Sequence, residues 1–320
     1  MKIRHLGNGI AVSAIGFGCM GMDHAYGAPA PREAMKSLLH DVLDVGCNFF
    51  DTAVVYGENN ERVLGDAFHD RRDRVVLATK FGIVGQRVVD GKPQNILDSR
   101  PETLRTQLEG SLRRLKTDYI DLYYQHRVDP QVPPEAVAEV MARFIDEGKI
   151  RAWGLSNPPL DYLKRAHAIC PIAALENQYS PLWRAPEADV FPLCEELGIA
   201  FVAYSPLGNG FLSGRFNAES TYEKGDFRAS MARFSPAVMA KNQALLTLFQ
   251  TLAAEKGATT AQVVLAWELA QKPYLIPIPG TTKVERAKEN LAAVELELTA
   301  DDLSRMAAAL TDTPVDTSYF

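Results

Sequence analysis

The chain has no run approaching the about 18–20 consecutive apolar residues that a membrane-spanning helix needs, so no membrane partner is expected. It is also short of cysteine. The four present, Cys19, Cys47, Cys170 and Cys194, show no CxxC spacing. That excludes a disulfide scaffold or a zinc ribbon and predicts reduced, buried thiols of a cytoplasmic protein. No clustered His/Cys/Asp set suggests a metal. A basic excess is missing too: 34 Lys+Arg stand against 40 Asp+Glu, a net charge of -6. No nucleic-acid surface is therefore expected, and any site for an anionic ligand must be local. No GxGxxG follows a strand at the start of a βαβ unit, so a Rossmann nucleotide site is not indicated. Low-complexity segments and linkers are absent, and residues 1–320 are expected to form a single domain.

What is present is an ordinary globular composition, 47% hydrophobic and 23% charged, with one repeating rhythm. Apolar runs of strand type alternate with amphipathic stretches. The runs are Ile15–Gly18, Asn48–Asp51, Val75–Thr79, Ile120–Gln125, Ala152–Leu155, Ala174–Gln178, Ala200–Tyr204 and Tyr274–Pro277. Helices are predicted between them, at about 31–45, 59–70, 100–115, 134–147, 159–169, 187–197, 236–256 with 260–271, and 283–292. Continuous apolar strands mean a sheet covered on both faces. Eight strand–helix units predict a closed (β/α)8 TIM barrel.

Three segments fall outside that count. Ile3–Leu6 and Ile10–Val12 predict a short N-terminal β-hairpin that closes the barrel bottom. Lys2, Arg4 and His5 ahead of "GIAVSAIGFGCMGM" outline a secretory signal, but four glycines interrupt the run, and strand structure is the preferred reading. Residues 205–235 form a long loop after strand 7, a length that is usually functional. A capped helix from Thr299 to Leu310 precedes an irregular end, with Tyr319 and Phe320 expected to fray.

The chemistry sits at strand ends. Asp51 ends the second strand and Tyr56 lies five residues further. Lys80 follows the third strand and His126 the fourth. Active sites of such barrels lie at the carboxyl ends of the strands, and neighbouring strands are about 4.8 Å apart. Taken singly, these side chains have plainer uses as surface ion pairs, packing or a satisfied imidazole. Four at consecutive strand ends point to a site. Lys80 as ammonium favours the phenolate of Tyr56 and is expected to lower its pKa from about 10. Asp51 holds Lys80 charged, and His126 donates to a substrate oxygen.

In "IPIPGTTKVERAKEN", Gly280, Thr281 and Thr282 stand between the last strand and a helix. Free backbone N–H groups at such a helix start suit a phosphate, with Arg286 adding charge-assisted bonds and Glu289 and Asn290 one turn further for an adenine.

Together these segments resemble the aldo-keto reductases, in their short-tailed bacterial and fungal branch. The resemblance runs from about residue 4 to about residue 310. It is carried by Gly18, "DTAVVYGENNERVLG", "TKFG", "QHRVDP", "GLSN", "NQYSPL", "AYSPLGNGFLSGRF" and "PIPGTTKVERAKEN". It implies reduction of aldehydes or ketones with NADP, NADPH preferred over NADH, by a catalytic set of Asp51, Tyr56, Lys80 and His126. It implies that Ser156, Asn157 and Gln178 hold the nicotinamide amide and that Tyr204 stacks on its ring. Amide recognition needs the donors and acceptors those side chains supply, and the ring needs the flat face of Tyr204. Ser205, Leu207, Gly210, Gly214 and Arg215 cover the pyrophosphate. Gly280, Thr281, Thr282, Arg286, Glu289 and Asn290 take the 2′-phosphate and adenine.

Two departures stand out. Thr282, before Lys283, replaces a basic residue found directly after the PGT turn in several relatives. Ala53-Val54-Val55 is more apolar than the family pattern and suggests a greasy pocket. Tyr26, Val54, Phe81, Arg127 and Trp183 are expected to line it, favouring a hydrophobic or aromatic small-molecule carbonyl. A monomer or weak homo-oligomer is expected. Two other classes remain: an NADPH-binding accessory or sensor subunit with little turnover, and a Schiff-base aldolase using Lys80.

Overall fold

The computed structural model describes residues 1–89, 92–313 and 315–318. In chain order the elements are β1 (Ile3–His5), β2 (Ala11–Ser13), β3 (Phe17–Gly18), α1 (Arg32–Asp44), β4 (Phe49–Asp51), α2 (Glu58–Phe68), β5 (Val76–Phe81), β6 (Ile83–Val89), β7 (Lys92–Leu97), α3 (Pro101–Leu115), β8 (Ile120–Gln125), α4 (Pro134–Asp146), β9 (Ile150–Ser156), α5 (Leu160–Ile169), β10 (Ala174–Gln178), α6 (Val190–Leu197), β11 (Ala200–Tyr204), α7 (Pro236–Lys241), α8 (Gln243–Lys256), α9 (Thr260–Gln271), β12 (Leu275–Pro277), α10 (Val284–Ala292) and α11 (Ala300–Asp312). The strands β3, β4, β5, β8, β9, β10, β11 and β12 form one eight-stranded parallel sheet in that order. Its edges meet: Gly16 N donates to Pro277 O at 3.0 Å and Gly18 N to Pro279 O at 3.3 Å. The chain is a (β/α)8 barrel, as the eight-unit rhythm predicts.

Alternation within each strand sorts side chains to two faces. A small lumen cluster holds Phe49, Val76, Ala78, Leu122, Tyr124, Ala152, Ala174, Ala200, Val202 and Ile276. The larger core lies between strands and helices, with Phe50, Leu77, Tyr123, Trp153, Leu155, Leu175 and Phe201. The hairpin β1–β2 plugs the bottom. Leu6 and Val12 join the lumen cluster, and Gly7 N bonds Ala173 O at 2.8 Å. No Cβ fits at Gly7, since it would meet Gly198 O at 2.5 Å.

Three local expectations are corrected. The segment between β5 and α3 is an antiparallel ribbon, β6–β7, rather than a loop. The stretch 236–256 is two helices broken at Asn242, whose side chain bonds the Asp316 backbone at both ends. Lys80 lies within β5 rather than after it. The loop 205–235 contains short 3-10 turns at Gly208–Ser213, Phe227–Ser230 and Ala232–Phe234. Tyr319 and Phe320 lie outside the described residues. Among the described residues no helix is long and apolar enough to cross a membrane, and no group of three or more His, Cys, Asp or Glu could hold a metal. All four cysteines are free and buried.

Candidate active site

Three consecutive lumen-facing strands deliver the charged centre. Asp51 closes β4, in register with Ala78 of β5, and Lys80 stands two residues further on the same face. Lys80 Nζ donates to Asp51 Oδ1 and to Thr52 O at 2.9 Å. It also stands 5.3 Å from the centre of the Tyr56 ring. Tyr56 is carried by a single 3-10 turn, Val54–Tyr56, which Gly57 ends at φ 107°. A side chain at Gly57 would be strained there and would meet Asp23 Oδ2 at 2.7 Å. His126 follows β8, with its ring edge-on to Tyr56 at 5.9 Å. Asp51, Tyr56, Lys80 and His126 are thus brought together at the carboxyl ends of the strands.

The electrostatics differ from the sequence expectation in one respect. Burial drives the Tyr56 phenol above its usual value of about 10; Lys80 opposes this, while Glu176 and Asp51 reinforce it. Lys80 lowers the phenol's pKa only relative to the same site without an ammonium. Burial works against the Lys80 ammonium, but Asp51, Glu176 and Tyr56 outweigh it and raise its pKa. His126 is pushed well below its ordinary value by burial and by the Lys80 and Arg127 charges. It is a neutral imidazole, able to donate one hydrogen bond but not a surplus proton.

Glu176 was not singled out from the sequence. It is buried on β10, with Oε2 3.3 Å from Lys80 Nζ, and burial together with Asp51 pushes its carboxyl up to about 8. The available signal was an acid between Ala174 and Gln178, all three on the lumen-facing side of an apolar strand. His24, in the loop after β3, also escaped notice; its ring stacks on Tyr56 at 6.0 Å.

The remaining expected residues fall into two groups around this centre. Ser156 ends β9 and its Oγ accepts from Asn157 Nδ2 at 2.9 Å and Arg127 Nη1 at 3.2 Å. Arg127 also bonds His126 O at 2.6 Å. Asp129 accepts from the Ser99 and Gln131 backbone N–H groups at 2.9 and 3.0 Å. Asn157 and Ser205 take positive φ of 49° and 52°, strain of a kind that gathers at functional sites. Tyr204 hydroxyl bonds Asn157 Oδ1 at 3.3 Å. Gln178 is buried with Nε2 lacking a partner.

Across the barrel mouth, Gly210 and Gly214 sit at φ 104° and 72° in the turn that Leu207 opens. Arg215 pairs with Glu289 at 3.0 Å. Gly280 packs on Gly18 so closely that a Cβ would stand 2.3 Å from Gly18 O. Thr281 Oγ1 accepts from Lys283 N at 3.1 Å, Thr282 is half-buried, and Asn290 is buried. α10 starts at Val284, directly after Lys283, and no side chain caps its first turn.

Of the expected pocket walls, Tyr26 packs on Phe227 at 5.0 Å and bonds Asn209 Nδ2 at 3.2 Å. Val54 and Trp183 are half-buried. Phe81 is a correction: its ring lies in the outer core, fully buried against Tyr123 at 4.8 Å. Its place in the strand alternation turns it away from Lys80 and the mouth.

The model of the aldo/keto reductase family matches residues 14–311. The chain belongs to this family. It is 40% identical over 304 residues to the probable aldo-keto reductase 1 of Glycine max, covering 94% of this chain and 86% of that one. Among solved structures it resembles the glycerol dehydrogenase from Gluconobacter oxydans at a TM-score of 0.88 and 26% identity, over 99% of this chain and 98% of that one. It also resembles an aldo-keto reductase from Klebsiella pneumoniae solved in complex with NADPH, at a TM-score of 0.77 and 27% identity, over 99% and 98% of the two chains. As an aldo-keto reductase the protein is an oxidoreductase acting on carbonyl groups.

Proposed function

We propose that the protein reduces aldehydes or ketones to alcohols with NADPH, Tyr56 serving as the proton donor. The observation that carries this reading is the meeting of Tyr56, Lys80, Asp51 and His126 at one strand edge. When bound, the dinucleotide supplies hydride to the carbonyl carbon. Tyr56 gives its proton to the oxygen as negative charge develops there, work that typically contributes about 10²–10⁴-fold. Lys80, held charged, stabilises the resulting phenolate. Neutral His126 directs one N–H to the carbonyl oxygen and orients it. A Schiff-base role for Lys80 is disfavoured because its ammonium is held between Asp51 and Glu176.

The residues present fit a phosphorylated dinucleotide. The uncapped start of α10 leaves backbone N–H groups free. Arg286 lies near Arg215 and Arg228: burial, then the Arg215 charge, lowers its pKa, Glu289 opposes this, and Arg228 adds to the lowering. Guanidinium groups gathered in this way favour an anion between them. The unpartnered Gln178 Nε2, beside Tyr204 in register, suits an amide carbonyl. Arg286→Ala is expected to weaken NADPH about 10- to 100-fold and leave NADH nearly unaffected, the worth of one charge-assisted contact. Titration of each dinucleotide by fluorescence checks this, and equal losses for both would assign Arg286 to the fold.

Tyr26, Val54 and Trp183, with His24 over Tyr56, favour an apolar or aromatic carbonyl. A preference of at least about 10-fold in kcat/KM for a benzaldehyde-type substrate over glyceraldehyde is expected, equal to a few buried methylenes. A preference for glyceraldehyde would show a polar pocket. The test of the function itself is NADPH oxidation against a panel of aldehydes, ketones and quinones.

A further inference from the structure

Catalysis by Tyr56, Lys80, Asp51 and His126 leaves Glu176 without a task, although it is buried at their centre. It stands on β10 in register with Ser156 of β9 and Val202 of β11. The charged and titratable groups facing it come from four directions: Asp51 on β4, Tyr56 after it, Lys80 on β5, and Tyr124 with Arg127 from β8 and its loop. One ammonium therefore serves two carboxyl groups. Lys80 Nζ bonds Asp51 Oδ1 and Thr52 O, and only approaches Glu176 Oε2 at 3.3 Å. Arg127 donates to His126 O and Ser156 Oγ. Asp51 Oδ2 and Glu176 Oε2 are both buried without a hydrogen bond, and the neighbouring Asp51 charge raises the Glu176 carboxyl. Two acceptors of this kind cannot both be ionised side by side without a steep penalty, whereas one proton between them satisfies both.

We propose that Glu176 shares a single proton with Asp51 and, by holding it, sets the charge of the Lys80 cluster that faces Tyr56. Glu176 is then a positioning residue for the proton donor. The inference rests on carbonyl reduction as the reaction. With the proton in place, Lys80 and the acid pair sum to zero. Once it is lost, one uncompensated negative charge faces the oxygen atoms on which negative charge develops, and the reaction is disfavoured. The shared proton is not consumed: hydride comes from the dinucleotide and the transferred proton from Tyr56. Burial and the neighbouring Asp51 charge push the Glu176 carboxyl up to about 8, so its loss falls within the range of ordinary assays.

The test follows kcat/KM for carbonyl reduction against pH at saturating NADPH. The wild type is expected to fall through a basic limb near the pH at which Glu176 ionises. Glu176→Gln keeps the shape, donates to Asp51 and cannot ionise. Its ratio of kcat/KM at pH ~9 to that at pH ~6.5 is expected to exceed the wild-type ratio by at least about 10-fold, one pKa unit's worth of interaction. Glu176→Asp restores the limb. Infrared difference spectra of the dinucleotide-free protein, wild type minus Glu176→Gln, provide a second readout: they cancel the contribution of Glu268, a carboxyl that burial also pushes up, and leave a protonated-carboxyl stretch that titrates away as pH rises. That band without any carbonyl reduction would uphold the shared proton and overturn the reaction. Matching pH profiles for wild type and Glu176→Gln, or a difference spectrum without that band, would overturn the role of Glu176.

Discussion

Tyr56→Phe is expected to lower kcat for carbonyl reduction by at least about 10²-fold while leaving dinucleotide affinity nearly unchanged. The substitution removes one oxygen from a half-buried ring held edge-on to His126 at 5.9 Å, so the pocket keeps its shape. No other group replaces the lost acid. His126 is neutral, and the Lys80 proton is retained by Asp51 and Glu176, whose charges hold its pKa up against burial. Stopped-flow oxidation of NADPH, with chemistry shown to limit the rate, gives the comparison. Retention of more than about a tenth of wild-type kcat would remove Tyr56 from the role, since that loss is far below the usual worth of a positioned acid.

Lys80→Met is expected to damage both stability and chemistry. The Lys80 side chain has no exposed surface, and that of Asp51 has 3%. Breaking a buried pair by removing one partner typically costs about 3–5 kcal/mol, because a charge is left uncompensated. Here Asp51 and Glu176 escape part of that cost by binding protons. Their folded pKa values, already raised by burial, rise further without the ammonium. A carboxyl whose folded pKa exceeds its unfolded one contributes stability below the unfolded value and loses it as pH rises through the folded one. The deficit of Lys80→Met is therefore expected to be small near pH 5 and to grow toward pH 8, read from denaturant midpoints at the two pH values. Alcohol oxidation, which needs the phenolate, is expected to suffer most, with its pH profile displaced upward. A deficit independent of pH would mean that the two carboxyl groups do not depend on Lys80.

How far the sequence carries this account depends on the local signal. The strand Ala200–Tyr204 was legible to the residue because it is a continuous apolar run, and Ile120–Gln125 and Ala174–Gln178, which carry polar residues, because each falls between helical stretches in the repeating rhythm. Asp51, Tyr56, Lys80 and His126 were legible because polar residues at the carboxyl ends of such runs have few structural uses. The ribbon β6–β7 was missed. Its polar, glycine-containing alternation buries little, and the Asp90-Gly91 pair between its strands was the hairpin signal available. Glu176 was missed because an acid within an apolar strand declares itself only once the lumen-facing alternation and the position of Lys80 are known. Phe81 was misplaced by the same step: one residue beyond Lys80, it faces the helices. The direction of the Tyr56 shift was also misjudged. A sequence names the charge beside the phenol but not the burial that outweighs it.

The most direct measurement of the central claim is a single turnover with NADPH deuterated at the transferring position of C4 and an aromatic aldehyde. One equivalent of alcohol per dinucleotide oxidised is expected, carrying deuterium at the carbinol carbon in the wild type, with the rate of its formation lowered at least about 10²-fold in Tyr56→Phe. NADPH that binds tightly yet stays reduced in the presence of every carbonyl tested, or alcohol formed equally fast by Tyr56→Phe, would contradict it.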